Sequence, residues 1–299
     1  MDSTITASIK KALLLVSIFF LFYTIYHAIN TTLFLYSFIP SFGQLPESFQ
    51  LPDSFTSSSF PWTLVLIQEF AGSTGIYLRV FGGIFAVSST YLFNKNDSRY
   101  LGRLSNAVLF ESLYFGLFIP SGINHIILSF SEFTFAGFNL YTGASFLLQG
   151  LILFPVLLLF SQKIKANNHI STLKWIGIAA PLYVFTMWIK HSFFWVFALS
   201  QFGSQSSSLF EIIGAINSLL TLLIASLVSL FACLPIIQKR NKINLRLVGI
   251  ALILVGAYFV IYLIVMFWVP VYLSFFGLTE FWMISLLIPG LVTFLKIKE

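Results

Sequence analysis

His27, His125 and His191 each stand near the same end of an apolar run, and Arg79 and Lys190 fall at a similar depth in theirs. Neutral imidazole ligates haem iron or a metal, and it hydrogen-bonds a quinone oxygen while a neighbouring cation stabilises the reduced anion. Those five residues therefore form a candidate cofactor-binding set, with haem or quinone as the cofactor classes that fit. Glu69 or Glu211 would supply counter-ions, with Asn124 and Asn217 between. The plainer alternative is structural: Arg79 and Lys190 snorkel toward the membrane surface, and histidines near helix ends bond neighbouring helices or water. Glu111 sits near the opposite end of its run, close to Arg103. A local ion pair is the simpler reading there, and a carboxylate that admits protons is the sharper one.

Other chemistries have a weaker signal. Metal-assisted hydrolysis needs an open three-ligand site and a base, and His27, His125, His191 and Glu69 come from separate segments without a tight spacing motif. There is no glycine-rich phosphate loop, no paired-histidine metalloprotease sequence and no Gly-x-Ser-x-Gly elbow. A single cysteine, Cys233, excludes a disulfide framework or a cysteine-based cluster within one chain. No catalytic residues are assigned, and no family motif is matched.

The elements that must carry these groups follow from composition. Of 299 residues, 58% are apolar and only 9% charged, and mean hydropathy is +0.93. Soluble domains are about 25% charged, so this is an integral membrane protein. The 36 phenylalanines turn apolar surface to lipid, and the pI near 9.4 reports orientation, not nucleic-acid binding. A helix needs about 20 apolar residues to cross a core of about 30 Å. Runs of that kind lie at about 12–38, 71–93, 106–130, 141–161, 175–199, 211–237 and 247–270, with a shorter one at about 281–295. The stretch from Trp62 to Phe70 reads as interfacial.

Cations test the count. They fall at Lys10 and Lys11, at Lys95, Arg99 and Arg103, at Lys163, Lys165 and Lys174, at Lys239, Arg240, Lys242 and Arg246, and at Lys296 and Lys298. Every second connection is thus basic, whereas 39–61, 131–140, 200–210 and 271–280 contain no Lys or Arg. The expectation is an all-α, polytopic bundle of about eight transmembrane helices forming one domain over 1–299, in the cell membrane, with both termini cytoplasmic. Lys10-Lys11 followed by an apolar run also describes a signal peptide. The run is too long for that, and no small-x-small site follows it, so the first helix is expected to be retained. The loop at 41–60, rich in Ser, Pro and Phe, reads as a cap, a docking surface or a plain linker.

At a rise of 1.5 Å per residue, His27, Lys190 and His191 lie roughly 22–24 Å above the cytoplasmic ends, His125 slightly higher and Arg79 at about the same level, in the outer third of the membrane. Pro120, Pro155 and Pro181 should loosen their helices. Gly82-Gly83, Gly143-Ala144-Ser145 and Gly256-Ala257 should let helices approach, while Phe193-Phe194-Trp195 and Phe267-Trp268 read as lipid-facing or interfacial belts. Two functions fit. One is a membrane-embedded subunit or anchor of a larger, plausibly respiratory, electron-transfer complex, favoured by the rim position of the polar set and the lack of a catalytic loop. The other is a transporter or permease with an outward-facing polar vestibule, for which a midplane site would be usual.

Overall fold

The computed structural model describes residues 3–38, 62–130, 136–166, 169–202, 209–238, 243–268 and 281–296. Within lipid every backbone N–H and C=O needs an internal partner, and the apolar runs satisfy theirs as helices. These are α1 (Ser3–Phe38), α2 (Trp62–Asn94), α3 (Tyr100–Gly116), α4 (Phe118–Ser129), α5 (Ala136–Lys165), α6 (His169–Phe202), α7 (Leu209–Ile216), α8 (Leu222–Ile237), α9 (Leu245–Trp268) and α10 (Leu287–Lys296). A π turn, Asn217–Thr221, joins α7 to α8, and a 3-10 turn, Phe281–Leu286, leads into α10. No strand occurs among the described residues. With α3–α4 and α7–α8 each taken as one span, 7 helices are long and apolar enough to cross a membrane, and a shorter apolar one follows at Trp282–Lys296. The chain is an all-α, multi-pass membrane protein.

Local chemistry accounts for the departures from the expected spans. Residues 62–70 continue α2 without a break. The third span is interrupted at Leu117, three residues before Pro120, whose missing N–H leaves the Gly116 carbonyl without its helical donor. Pro155 and Pro181 leave α5 and α6 continuous. The last segment gains reach from its opening geometry. A 3-10 helix rises about 2 Å per residue, so 6 such residues plus 10 of α-helix extend about 27 Å, close to a hydrocarbon core.

The spans pack in a closed ring: α1 on α2, α2 on α3, then α3–α5, α5–α6, α6–α8, α8–α9, α9–α10 and α10 back on α1, while α4 packs on α5 and α2. One end of the ring gathers the start of α1, the end of α10 and a basic turn. Lys10 Nζ donates to Asn96 Oδ1 at 2.5 Å, Asn94 Nδ2 donates to the Lys10 carbonyl at 3.1 Å, and Lys296 Nζ donates to Ser8 Oγ at 2.7 Å. Asn96, at φ 57°, takes the left-handed turn from α2 toward α3 that asparagine tolerates. Asp97 accepts the Arg99 backbone N–H at 2.9 Å and its guanidinium at 2.6 Å, and these two contacts lower its carboxyl from 3.8 to about 2.

Lipid offers no hydrophobic drive between helices, so small residues and interhelical hydrogen bonds set the packing. Ser105 and Ser161 exchange hydroxyl-to-carbonyl bonds of 2.9 and 2.8 Å, and Ser112 Oγ donates to the Phe154 carbonyl at 2.8 Å, fastening one face of α3 to α5. At the α4–α5 crossing the backbones meet: a Cβ on Gly143 would stand 2.8 Å from the Gly122 carbonyl. Gly82 and Gly256 also lie at helix contacts, as their composition suggested. Trp195 departs from its expected belt position. It is wholly buried, because Gly214 on α7 leaves room for the indole; a Cβ there would stand 2.4 Å from the ring.

Candidate functional site

Fixing one face of α3 to α5 aims the adjoining face, with Ala107, Phe110, Glu111 and Tyr114, at α2. Two glycines on α2 let it approach. A Cβ on Gly82 would stand 3.4 Å from Phe110 Cβ, and one on Gly75 would stand 3.2 Å from the Tyr114 ring. Arg79 lies between those glycines on the same face, which brings its guanidinium onto Glu111.

The pair is bidentate. Arg79 Nε donates to both Glu111 oxygens at 3.2 Å and Nη2 donates to Oε1 at 2.9 Å. Nη2 also donates to Tyr183 Oη on α6 at 3.3 Å, so the contact crosses the ring. The guanidinium carbon sits 4.3 Å from the Tyr114 ring centroid and 5.6 Å from that of Phe20 on α1. The Arg79 side chain is 5% exposed and that of Glu111 17%.

Depth separates this cluster from the rim. Counted from the basic ends of their spans, Glu111 and Tyr183 lie about 16 Å in, Phe20 about 21 Å and Arg79 about 22 Å, against about 27 Å for Lys190 and about 28 Å for His191. Energetics then speaks to purpose. An arginine at the centre of a bilayer helix costs about 2.5–3.5 kcal/mol on insertion scales. A buried ion pair rarely repays its desolvation better than apolar residues of equal volume, although breaking it by removing one partner costs about 3–5 kcal/mol. Packing alone gives no reason to keep charge at this place.

Arg79 and Glu111 thus pair with each other. The expected partners differ from this: Arg103 lies 5.6 Å from the Phe85 ring centroid, and the side chains of Glu69 and Glu211 fall outside the described residues. The physical reason is the α2–α3 hairpin, which folds positions equidistant from Lys95 onto one another. That symmetry about a tight basic turn was present in the sequence and could have revealed the pair. Tyr114 and Tyr183 carried no such signal.

The remaining candidates lie on different helix contacts. Half-buried His27 shares a 3.4 Å hydrogen bond with Tyr23 one turn earlier on α1. Buried His125 on α4 has Nδ1 at 3.2 Å from the accepting Asn139 Oδ1 of α5, with Phe146 edge-on at 5.6 Å. His191 on α6 is buried against α9, its ring 5.2 Å from Tyr258 and 5.6 Å from both Phe259 and Tyr262. Lys190 is half-buried beside it. Among the described residues no three His, Cys, Asp or Glu side chains are grouped to hold one metal ion. The loop at 41–60 and the Phe267-Trp268 side chains lie outside the described residues.

Close to His191 the chain makes another polar contact, which sequence reading did not anticipate as a unit. Asn217, opening the π turn, donates Nδ2 to the Tyr258 carbonyl at 3.1 Å and accepts the Thr221 hydroxyl at 3.0 Å. Trp188 Nε1 donates to the Leu219 carbonyl within the same turn at 3.1 Å. A π turn shifts the helical ladder by one residue, and these side chains supply partners at the shift.

No protein-family model, no curated protein and no solved structure matches this chain.

Proposed function

We propose that the protein is a membrane transport protein, with the Arg79–Glu111 pair as the charged element of the solute path. The observation that carries this reading is a bidentate ion pair near the centre of its spans, tied through Tyr183 to the far side of the helix ring. Intramembrane ionisable groups mark substrate and ion pathways, and carriers place such sites near the midplane. Arginine presents its fork to carboxylate or phosphate, so the site suits an anionic solute. The basic end of the ring is read as cytoplasmic and the membrane as the cell membrane. A cysteine replacing exposed Ser98 should then stay unlabelled by an impermeant reagent applied outside; labelling there would reverse the orientation.

The test is uptake into liposomes holding the purified chain, using radiolabelled carboxylates, amino acids, phosphate and sugars. Arg79-dependent accumulation of any one supports the reading. Accumulation of none, or equal accumulation by Arg79→Gln, removes it.

A second reading keeps the chain as a subunit or anchor of an electron-transfer complex with other protein subunits, binding haem or quinone at His27, His125, His191, Arg79 and Lys190. Burial of His125 and His191 in ring-lined contacts favours it. Soret and α bands in the reduced protein that vanish in His→Ala variants would establish the haem form, and inhibitor-sensitive quinone binding the other.

A further inference from the structure

We propose that Glu111 is a proton-dependent stand-in for the solute: when its carboxylate takes up a proton, it releases the Nε–Nη2 edge of Arg79 to the carboxylate of an apolar monocarboxylic acid. The inference rests on the carrier reading and names the solute class and the coupled ion.

Three features support it. The edge of Arg79 that a solute carboxylate would need is already filled in carboxylate geometry by Glu111, at 2.9 and 3.2 Å. Glu111 is more exposed than Arg79, 17% against 5%, which makes the carboxylate the less enclosed partner of the pair. The surroundings are aromatic, with Tyr114 and Phe20 over the guanidinium and Phe115 edge-on to Tyr183 at 5.7 Å. These rings favour an apolar body on the solute.

Charge then fixes the stoichiometry. Arginine keeps its proton at all working pH values. A second carboxylate brought against the guanidinium beside an ionised Glu111 would place like charges together in a low dielectric, which drives one of them to hold a proton. One proton from water forms the Glu111 O–H bond, one monoanion replaces the carboxylate on Arg79, and the net charge of the site is unchanged. A dianion would leave the site negative.

The groups facing Glu111 and its partner are Arg79 from α2, Tyr23 from α1 through Arg79, Tyr114 on its own helix and Tyr183 from α6. Toward α3, α5 presents Ser161 and the Phe154 carbonyl, and the titratable group of α4, His125, is turned to Asn139. Arg103, lower on α3, lies over Phe85.

The experiment is calorimetric titration of the detergent-purified full chain with benzoate, across pH and in two buffers of different ionisation enthalpy. The expected result is uptake of about one proton per benzoate, with affinity falling about tenfold per pH unit, the linkage slope for one proton. Glu111→Gln should bind benzoate without pH dependence or proton uptake, and Arg79→Gln should not bind it. Benzoate binding without proton uptake, binding unaltered in Arg79→Gln, or no binding by the wild-type chain would overturn the proposal. The wild-type measurement needs no variant to fold. Arg79-dependent uptake of another solute, with no benzoate binding, removes this proposal and keeps the carrier; benzoate binding with proton uptake but no vesicle transport keeps the site and removes the carrier.

Discussion

Around Arg79 a full positive and a full negative charge meet between α2 and α3, with tyrosine from α6 and rings from α1 and α3 completing the shell. Around His191 and the π turn, uncharged groups meet instead: Asn217 donates to the Tyr258 carbonyl of α9 and accepts from Thr221 in its own turn, Trp188 of α6 donates to the Leu219 carbonyl of that turn, and Tyr258, Phe259 and Tyr262 surround the imidazole. Neutral hydrogen bonds between membrane helices contribute modestly, about 0.6 kcal/mol on average, and they hold one geometry. A charge pair is different in kind. Each partner carries a net charge that could pair with another ion of opposite sign, and protonation of the acid would change the balance of the site. The comparison sets a neutral joint between α6, α8 and α9 against a charged contact between α2 and α3, the one that the carrier reading makes exchangeable.

That contrast can be broken most forcefully by removing one charge. Arg79→Gln, which leaves Glu111 without its counter-ion, should lose about 3–5 kcal/mol in detergent unfolding, whereas Arg79→Met with Glu111→Leu should be near wild type. Equal losses in both would make the pair a structural joint like its neutral counterpart. The next effect concerns rigidity. Gly214→Ala forces a Cβ to within 2.4 Å of the buried Trp195 ring and should cost about 1–3 kcal/mol, while Gly82→Ala, at 3.4 Å from Phe110 Cβ, should cost less than Gly214→Ala. A reversed order of melting temperatures would contradict a yielding α2–α3 contact. Asn217→Ala should lose about 0.6 kcal/mol and at most about 1.7, the mean and maximum for an interhelical hydrogen bond, and should leave any Arg79-dependent uptake intact.

The smallest effect belongs to an ion pair in water. Asp97, held at about 2 by Arg99 against an ordinary 3.8, contributes stability that is present above 3.8 and is lost as pH falls through about 2. Asp97→Asn should remove only that acid-dependent part of the melting curve, seen by comparing the two proteins across this window. Screening at an exposed site keeps the change slight.

Much of the architecture could be read from hydropathy and from the alternation of Lys and Arg, because crossing a bilayer imposes length and charge rules on every segment. Which face of a helix meets another helix follows a different logic. Trp195 looked like belt material by composition, and only the glycine at 214, on another helix, buries it. Depth counting placed Arg79 with the rim histidines, since it treats each helix alone. The Tyr100 start of α3 and the tight turn at Asn96 instead fold Arg79 against Glu111. Tyr183 depends on ring closure through α5 and α6, which no local pattern in the chain encodes.

The most direct test of the central claim is uptake by the pair-free chain, Arg79→Met with Glu111→Leu, in vesicles beside wild type. The account predicts a folded protein, with a melting temperature near that of wild type, that no longer accumulates the solute the wild-type chain takes up. A pair-free chain that accumulates that solute at the wild-type rate would contradict it.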